Sequence, residues 1–235
     1  MLIKMKNLNI FSLISEYENA KSGGILNVPN VSFVDEDSSI RYLLKNVLTH
    51  NGYEYVDLGL PSGLKWATCN IGASSPEQTG LYFAWGETTG YTAEQVPGVR
   101  AFDEASYTAS AISTNLKPEQ DAAYVHMGGN WRMPTKAEFK ELLDNCNVVK
   151  TEDYNGTGVT GRVFTSKVNG NSVFFPAAGG CINSSVDDVG SYGNYWSASR
   201  YSSFYAWSLS DNSGSMNLNY DEFRYYGYSV RGVFK

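Results

Sequence analysis

The sequence predicts an α+β domain of short strands, one clear helix and long loops, and three observations predict it. Short apolar runs alternate with Gly-rich turns from Tyr53 to the C-terminus. A single segment, residues 135–146, places apolar side chains at helical spacing behind a capping sequence. An Asn-Gly pair at 169–170 separates two runs rich in Val and Phe. The chain has 235 residues, 42% of them hydrophobic, which is enough apolar matter for one large core plus an additional segment. Its net charge of −6 disfavours nucleic acid as a partner. No apolar run reaches the length of a transmembrane helix, so membrane insertion is not expected.

Residues 1–52 differ from the rest. Leu8, Phe11 and Ile14 recur at helical spacing, and Lys21-Ser22-Gly23-Gly24 ends that pattern. VSFV, DEDSS and IRYLL then read as strand, turn and strand. A hairpin this small is not stable alone in water. An oligomerisation or attachment element is therefore expected here, with a homo-oligomer as the implied partner. Lys4 and Lys6 precede a short apolar run, but Asn9 and Ser12 break it and Glu16 and Glu18 follow it, so it reads as mature chain rather than a signal peptide.

From Tyr53, YVDLGL, LKWATCNIG and LYFAWGE are strand-like runs separated by PSG and ASSPEQTG. Residues 86–118 carry few large aliphatics and read as a long surface excursion. The helix follows. Thr135 is placed to cap it, Glu138 to return the hydrogen bond, and Phe139, Leu142, Leu143 and Cys146 to line its buried face. GRVFTSKV, NGNS and VFFPAAG read as a hairpin. YWSAS, FYAWSLS and YSVRGVF read as the last strands.

Those last strands lie in a stretch of unusual composition. Residues 191–231 hold eight of the seventeen tyrosines, with ten serines and four asparagines, and contain no Lys, Cys, His or Pro. Tyr supplies rigid contact area with a polar tip, and Ser, Gly and Asn supply adaptable hydrogen bonds, the mixture of an antibody-like binding surface. Tyr201, Phe204, Tyr205, Tyr220, Phe223, Tyr225 and Tyr226 are the candidate anchors. Ser203, Ser208, Ser210, Asn217, Asn219 and Asp221 are the candidate polar contacts. Trp196, Trp207 and Leu209 are assigned to the core or its edge by strand alternation, and Arg224 and Arg231 to structural pairing with carboxylates or carbonyls.

Catalytic patterns are missing from the sequence. His50 and His126 lie far apart, and Cys69, Cys146 and Cys181 have no metal-ligand spacing and read as buried free thiols. Glu77, Glu87 and Asp121 are scattered acids with a solvated or structural reading. No cofactor, metal or catalytic residue is expected.

YVDLGLPSGLKWATCNIGA, YFAWGETT, GGNWRMPTKAEFKELL, VFFPAAG and YWSAS…AWSL…RYYGYSVRGV occur in a fixed order over residues 53–235. They resemble the FISUMP domain family, which is related to the C-type-lectin fold and to formylglycine-generating-type domains. The resemblance implies a C-type-lectin-like domain over 53–235, with residues 1–52 outside it and similar to N-terminal segments of phage-encoded structural proteins. Many relatives in that group are variable proteins of diversity-generating retroelements, in which adenines of a template are miscopied. The implied variable region covers about residues 192–229, between framework residues such as Tyr195, Trp196, Ala206, Leu209, Arg224 and Arg231. Met216 and Glu222 are not products of an asparagine codon, and Asp211 stands where the family pattern has Phe. The implied function is non-enzymatic recognition of a host cell-surface protein or polysaccharide by a phage or gut-bacterial protein. A surface adhesin or glycan-binding module without mutagenesis is the alternative, and a formylglycine-generating-type enzyme, which needs reactive cysteines, is the second.

Overall fold

The structure is a computed structural model that describes residues 32–34, 41–43, 48–212 and 214–235; for 32–34, 41–43, Asn212, Tyr220 and Asp221 it describes the backbone alone. The chain divides into two compact units, Met1–Gly52 and Tyr53–Lys235. In the first, β1 (Ser32–Val34) pairs antiparallel with β2 (Arg41–Leu43), matching Phe33 with Tyr42, and β3 (Leu48–His50) follows. The helix expected around Leu8, Phe11 and Ile14 lies outside the described residues.

The second unit is α+β and mostly strand. Its strands are β4 (Tyr53–Asp57), β5 (Lys65–Asn70), β6 (Tyr82–Phe83), β7 (Cys146–Thr151), β8 (Gly161–Ser166), β9 (Ser172–Pro176), β10 (Ala178–Ile182), β11 (Ser185–Val189), β12 (Asn194–Arg200), β13 (Tyr205–Asn212), β14 (Ser215–Phe223), β15 (Tyr228–Ser229) and β16 (Arg231–Phe234). Its helices are α1 (Val96–Val99), a single turn, α2 (Ala122–Met127) and α3 (Lys136–Asn145). The largest sheet has the order β14-β13-β12-β15-β6. Strand β5 lies between β4 and β16, and β7-β8-β9 and β10-β11 form separate antiparallel groups.

α3 is the expected helix. The Thr135 amide and hydroxyl donate to the Glu138 carboxylate at 2.7 and 3.0 Å, and the Glu138 amide donates back to Thr135 Oγ1 at 3.3 Å, closing the capping box. Arg132 holds the same carboxylate with two hydrogen bonds, at 2.8 and 2.5 Å. Phe139, Leu142 and Cys146 are buried and Leu143 packs against them. The hairpin β8–β9 also forms, but not through a two-residue turn. Ser166 and Asn171 close a four-residue loop, and only Gly170, at φ +76°, takes the left-handed conformation. Residues 86–118 are largely irregular, yet Val96 and Phe102 are fully buried beneath them.

Two large cores meet at β12. Tyr195 packs with Trp66, Phe139, Phe164, Phe175 and Leu209. Its neighbour Trp196 packs with Trp85, Trp131, Ala206, Tyr228 and Val230. Successive side chains of a strand point to opposite faces, so a strand covered on both sides supplies both cores. Arg231 is fully buried between β16 and β5. It donates to the carbonyls of Ala67 and Thr68 and to the Asn70 side chain, and it lies over the Phe175 ring.

Candidate recognition surface

The expected site residues lie on β13, β14 and the turns at one end of them. β13 is an interior strand: Tyr195 opposes Leu209 on one side, and Leu218 opposes it on the other. Both neighbouring strands carry irregularities there. β12 departs from register between Trp196 and Arg200, and the β13–β14 ladder shifts between Ala206 and Ser208. Bulges bend a sheet and re-aim side chains. Beyond them, the sheet end carries the aromatic residues.

There the rings form a continuous array. Phe204 meets Tyr205 with centroids 6.5 Å apart, Tyr205 meets Phe223 at 4.8 Å, and Phe223 stacks on Tyr225 at 4.9 Å. Tyr226 stands edge-on to both Phe223 and Tyr225, at 5.5 and 5.2 Å. Phe204 is 61% exposed, and Tyr205, Phe223, Tyr225 and Tyr226 are half-buried. Tyr201, 49% exposed, instead stands edge-on to Trp207, whose ring lies 3.3 Å from the Lys136 ammonium. Trp207 is thus a half-buried edge residue, not an interior one. Partial burial, with Glu104 nearby, raises the Tyr225 hydroxyl above the ordinary phenol value, and burial beside Tyr225 does the same to Tyr226. These rings are neutral hydrogen-bonding groups at physiological pH.

Two devices hold this end rigid. The Ser202 hydroxyl accepts from the amides of Phe204 and Tyr205, and the Tyr205 carbonyl accepts from the amides of Tyr201 and Ser202, which ties the β12–β13 connection to itself. Beneath it lies Arg224, which is buried. Its guanidinium donates to the Ser203 carbonyl at 2.9 Å, the Ala109 carbonyl at 2.7 Å and the Tyr107 hydroxyl at 3.1 Å. It also lies over the Trp85 ring, 4.6 Å from the centroid. Its backbone is held as well: the Arg224 amide donates to Phe204, and its carbonyl accepts from Trp85. Burial pushes the Tyr107 hydroxyl up to about 12, so it stays protonated and donates to the Trp85 carbonyl. The floor of the array therefore comes partly from residues 85–109, outside the Tyr-rich stretch. Trp85 in YFAWGETT and Tyr107, an aromatic in a Ser/Thr-rich loop, were the signals in the sequence for that contribution.

The polar candidates divide. Ser203 and Asn217 are exposed and Asn219 is half-buried, its amide donating to Glu222 at 2.8 Å. Ser208 and Ser210 correct the expectation: both are buried, with their hydroxyls 2.9 Å apart. They fall on an interior strand covered on both faces, where a small hydroxyl fits if it has a hydrogen-bond partner. The side chains of Tyr220 and Asp221 lie outside the described residues. Asp211 is buried too, bound through both oxygens to Arg162 of β8 at 2.9 and 2.6 Å.

Elsewhere, Asp121 is buried and structural, accepting from the amides of Ala123, Tyr124 and Met133. Burial raises all three thiols, and none is paired. Among the described residues there is no group of three His, Cys, Asp or Glu side chains placed to hold a metal ion, and no helix is long and apolar enough to cross a membrane. Comparison with protein-family models, curated proteins and solved structures finds no match.

Proposed function

We propose that the Tyr53–Lys235 unit is a C-type-lectin-like recognition domain of the FISUMP type. Its Tyr/Ser/Asn-rich end binds a macromolecule on a cell surface without chemical turnover. The proposal extends to origin: a variable protein of a diversity-generating retroelement, carried by a phage or a gut bacterium. The observation that carries this reading is the array of Phe204, Tyr205, Phe223, Tyr225 and Tyr226 over the buried Arg224. Half-buried rings on a fixed floor offer apolar area and hydroxyls at low entropic cost, as binding loops do. The raised thiols speak against the formylglycine-generating-type alternative, because a protonated, buried thiol is a poor nucleophile.

Labelled protein applied to a panel of intact bacterial cells tests the binding. Attachment to some strains, lost in a Phe204→Ser, Tyr205→Ser, Tyr225→Ser variant that keeps its circular dichroism, is the expected result. Equal attachment by that variant would sink the reading. The genetic part has its own test in the flanking DNA: a reverse-transcriptase gene and a near-copy of the 3′ end that differs only at adenines.

A further inference from the structure

Three segments of the chain meet at the end of β12, on one flank of the rings. The Ala198 amide donates to the Pro134 carbonyl at 2.8 Å, and the Lys136 amide to the Ser199 hydroxyl at 3.0 Å. The Leu116 amide donates to the Ala198 carbonyl at 3.0 Å, and the Arg200 amide to the Asn115 side chain at 2.9 Å. Each segment brings one cation: Lys117, Lys136 and Arg200. Residues 112–118, 133–137 and 194–210 hold these three and no Asp or Glu, in a chain with 24 acidic and 18 basic residues. Glu138, on the same helix as Lys136, is taken by Arg132 and Thr135. Among the described residues none of the three cations forms an ion pair.

Two of them also stand against the local electrostatics. Lys136 is the first residue of α3, where the helix dipole favours a negative side chain. Its ammonium lies instead over the Trp207 ring. Arg200 has its Nε buried with no hydrogen-bond partner, and a donor left so is unfavourable in the isolated chain. Both placements become favourable when an anion lies alongside. Apolar surface adjoins them: Tyr201, 49% exposed, stands edge-on to Trp207, and Phe204 is 61% exposed.

We propose that this flank docks an acidic segment of a protein, its carboxylates on Lys117, Lys136 and Arg200 and its apolar side chains on Tyr201 and Trp207. It rests on the recognition role proposed above and gives the partner of that surface its chemistry. Cations carried on three separate segments suit charges repeated along a chain rather than one small anion, which converging donors would hold. A peptide also interleaves charged and apolar side chains, as this flank interleaves cations and rings. An anionic bilayer fits less well. Insertion takes rings that project, whereas Trp207, Tyr205, Phe223, Tyr225 and Tyr226 are half-buried. A bilayer also meets the field of the whole molecule, whose net charge is −6, while a short segment meets chiefly the charges within about 10 Å of it.

The test uses the full chain and a fluorescently labelled random copolymer of Glu and Tyr, followed by anisotropy. The same copolymer with its carboxyls amidated is the neutral control, and phosphatidylglycerol vesicles are the lipid surface. The acidic copolymer should bind, more weakly as salt is raised, and the amidated one should not. Lys136→Gln with Arg200→Gln should weaken binding by about tenfold or more with little change in melting temperature, because neither cation has an ion-pair partner to lose. Lys140→Gln with Lys150→Gln, the same change of charge outside the flank, should leave binding unchanged. Lys117→Gln, at an exposed position, is the second variant if the first does not fold. No binding of the acidic copolymer, equal binding of the amidated one, or wild-type affinity in a folded variant overturns the proposal. Vesicle binding in place of copolymer binding overturns it in favour of a membrane surface. Cell attachment that persists in the Lys136→Gln, Arg200→Gln variant overturns the acidic partner and leaves cell-surface recognition intact. Copolymer binding by a protein that attaches to no cell does the reverse.

Discussion

The two ends of β13 have different fates. At its Asp211 end, Ser208, Leu209, Ser210 and Asp211 are all buried. At its Tyr205 end, Tyr205 is half-buried and the adjoining Phe204 is largely exposed. The difference is what lies over the strand. Leu209 shares a core with Phe139 and Leu142 of α3, and the Asp211 end is tied to β8 by the Arg162–Asp211 pair. At the Tyr205 end Ala206 is buried in the second core and Trp207 lies under Lys136 of α3, while Phe204 and Tyr205 adjoin the loop residues that Arg224 gathers. Burial of a strand residue follows from the neighbouring layers more than from the residue's own type.

The largest way to break this contrast is at the ion pair. Arg162→Ala leaves the Asp211 carboxylate buried without its cation, and a buried pair broken from one side typically costs ~3–5 kcal/mol. Urea unfolding should show that loss, and a change below about 1 kcal/mol would mean the Asp211 end is not the rigid one. Arg224→Met comes next. It removes two half-buried hydrogen bonds, to the carbonyls of Ser203 and Ala109, at about 1 kcal/mol each. Hydrogen exchange should speed up at residues 201–205 and 107–110 while the β8–β9 amides stay protected. Uniform acceleration would place Arg224 in the global core instead.

A third test concerns the covering helix. Thr135→Ala should cost about 1 kcal/mol by removing the cap of α3. The same box is sensitive to pH. Burial alone would raise the Glu138 carboxyl, but Arg132 and the Thr135 amide outweigh it and hold it below its ordinary 4.5. A carboxyl depressed in the folded state stabilises it fully above 4.5, and that contribution is lost as pH falls through the folded value. Thermal melts of wild type should therefore decline on acidification below about pH 4.5, and Glu138→Gln should flatten that decline. Parallel curves for the two proteins would remove Glu138 from the account.

The smallest effects on stability belong to the exposed end. Tyr205→Ala should destabilise by about 1 kcal/mol yet cost about 2 kcal/mol or more of cell-surface binding if it is a hot spot. Phe204→Ser should shift stability by no more than about 0.5 kcal/mol. A binding loss without a folding loss separates a contact residue from a core residue. The reverse pattern at Tyr205 would assign it to the core.

Some of this was legible before any fold was known. The capping box of α3 is a local hydrogen-bond pattern written in four consecutive residues, and the β8–β9 hairpin follows from its flanking β-rich runs. A structural role for Arg224 and Arg231 was also legible, but not the choice between carboxylates and carbonyls: Arg224 closely follows Asp221 and Glu222 in the sequence, yet it donates to the carbonyls of Ser203 and Ala109. The hairpin loop length was not: Asn169-Gly170 suits a two-residue turn, but Ser166 pairs with Asn171 and its hydroxyl also accepts from the amides of Val168 and Asn169. Nor could the sequence separate Ser203 from Ser208 and Ser210. All three are serines in the same Tyr-rich stretch, and only the layers above and below them differ.

By itself, then, the sequence determined the local grammar: where strands start, where α3 is capped, and that the final forty residues are rich in rings and hydroxyls. Tertiary structure alone decided which of those rings and hydroxyls face outward. Hydrogen-bonded local motifs involve residues a few positions apart, so the chain carries them directly. Burial depends on contacts such as Arg162 with Asp211 and Arg224 with Ala109, whose partners lie far away along the chain and come together only when the layers pack.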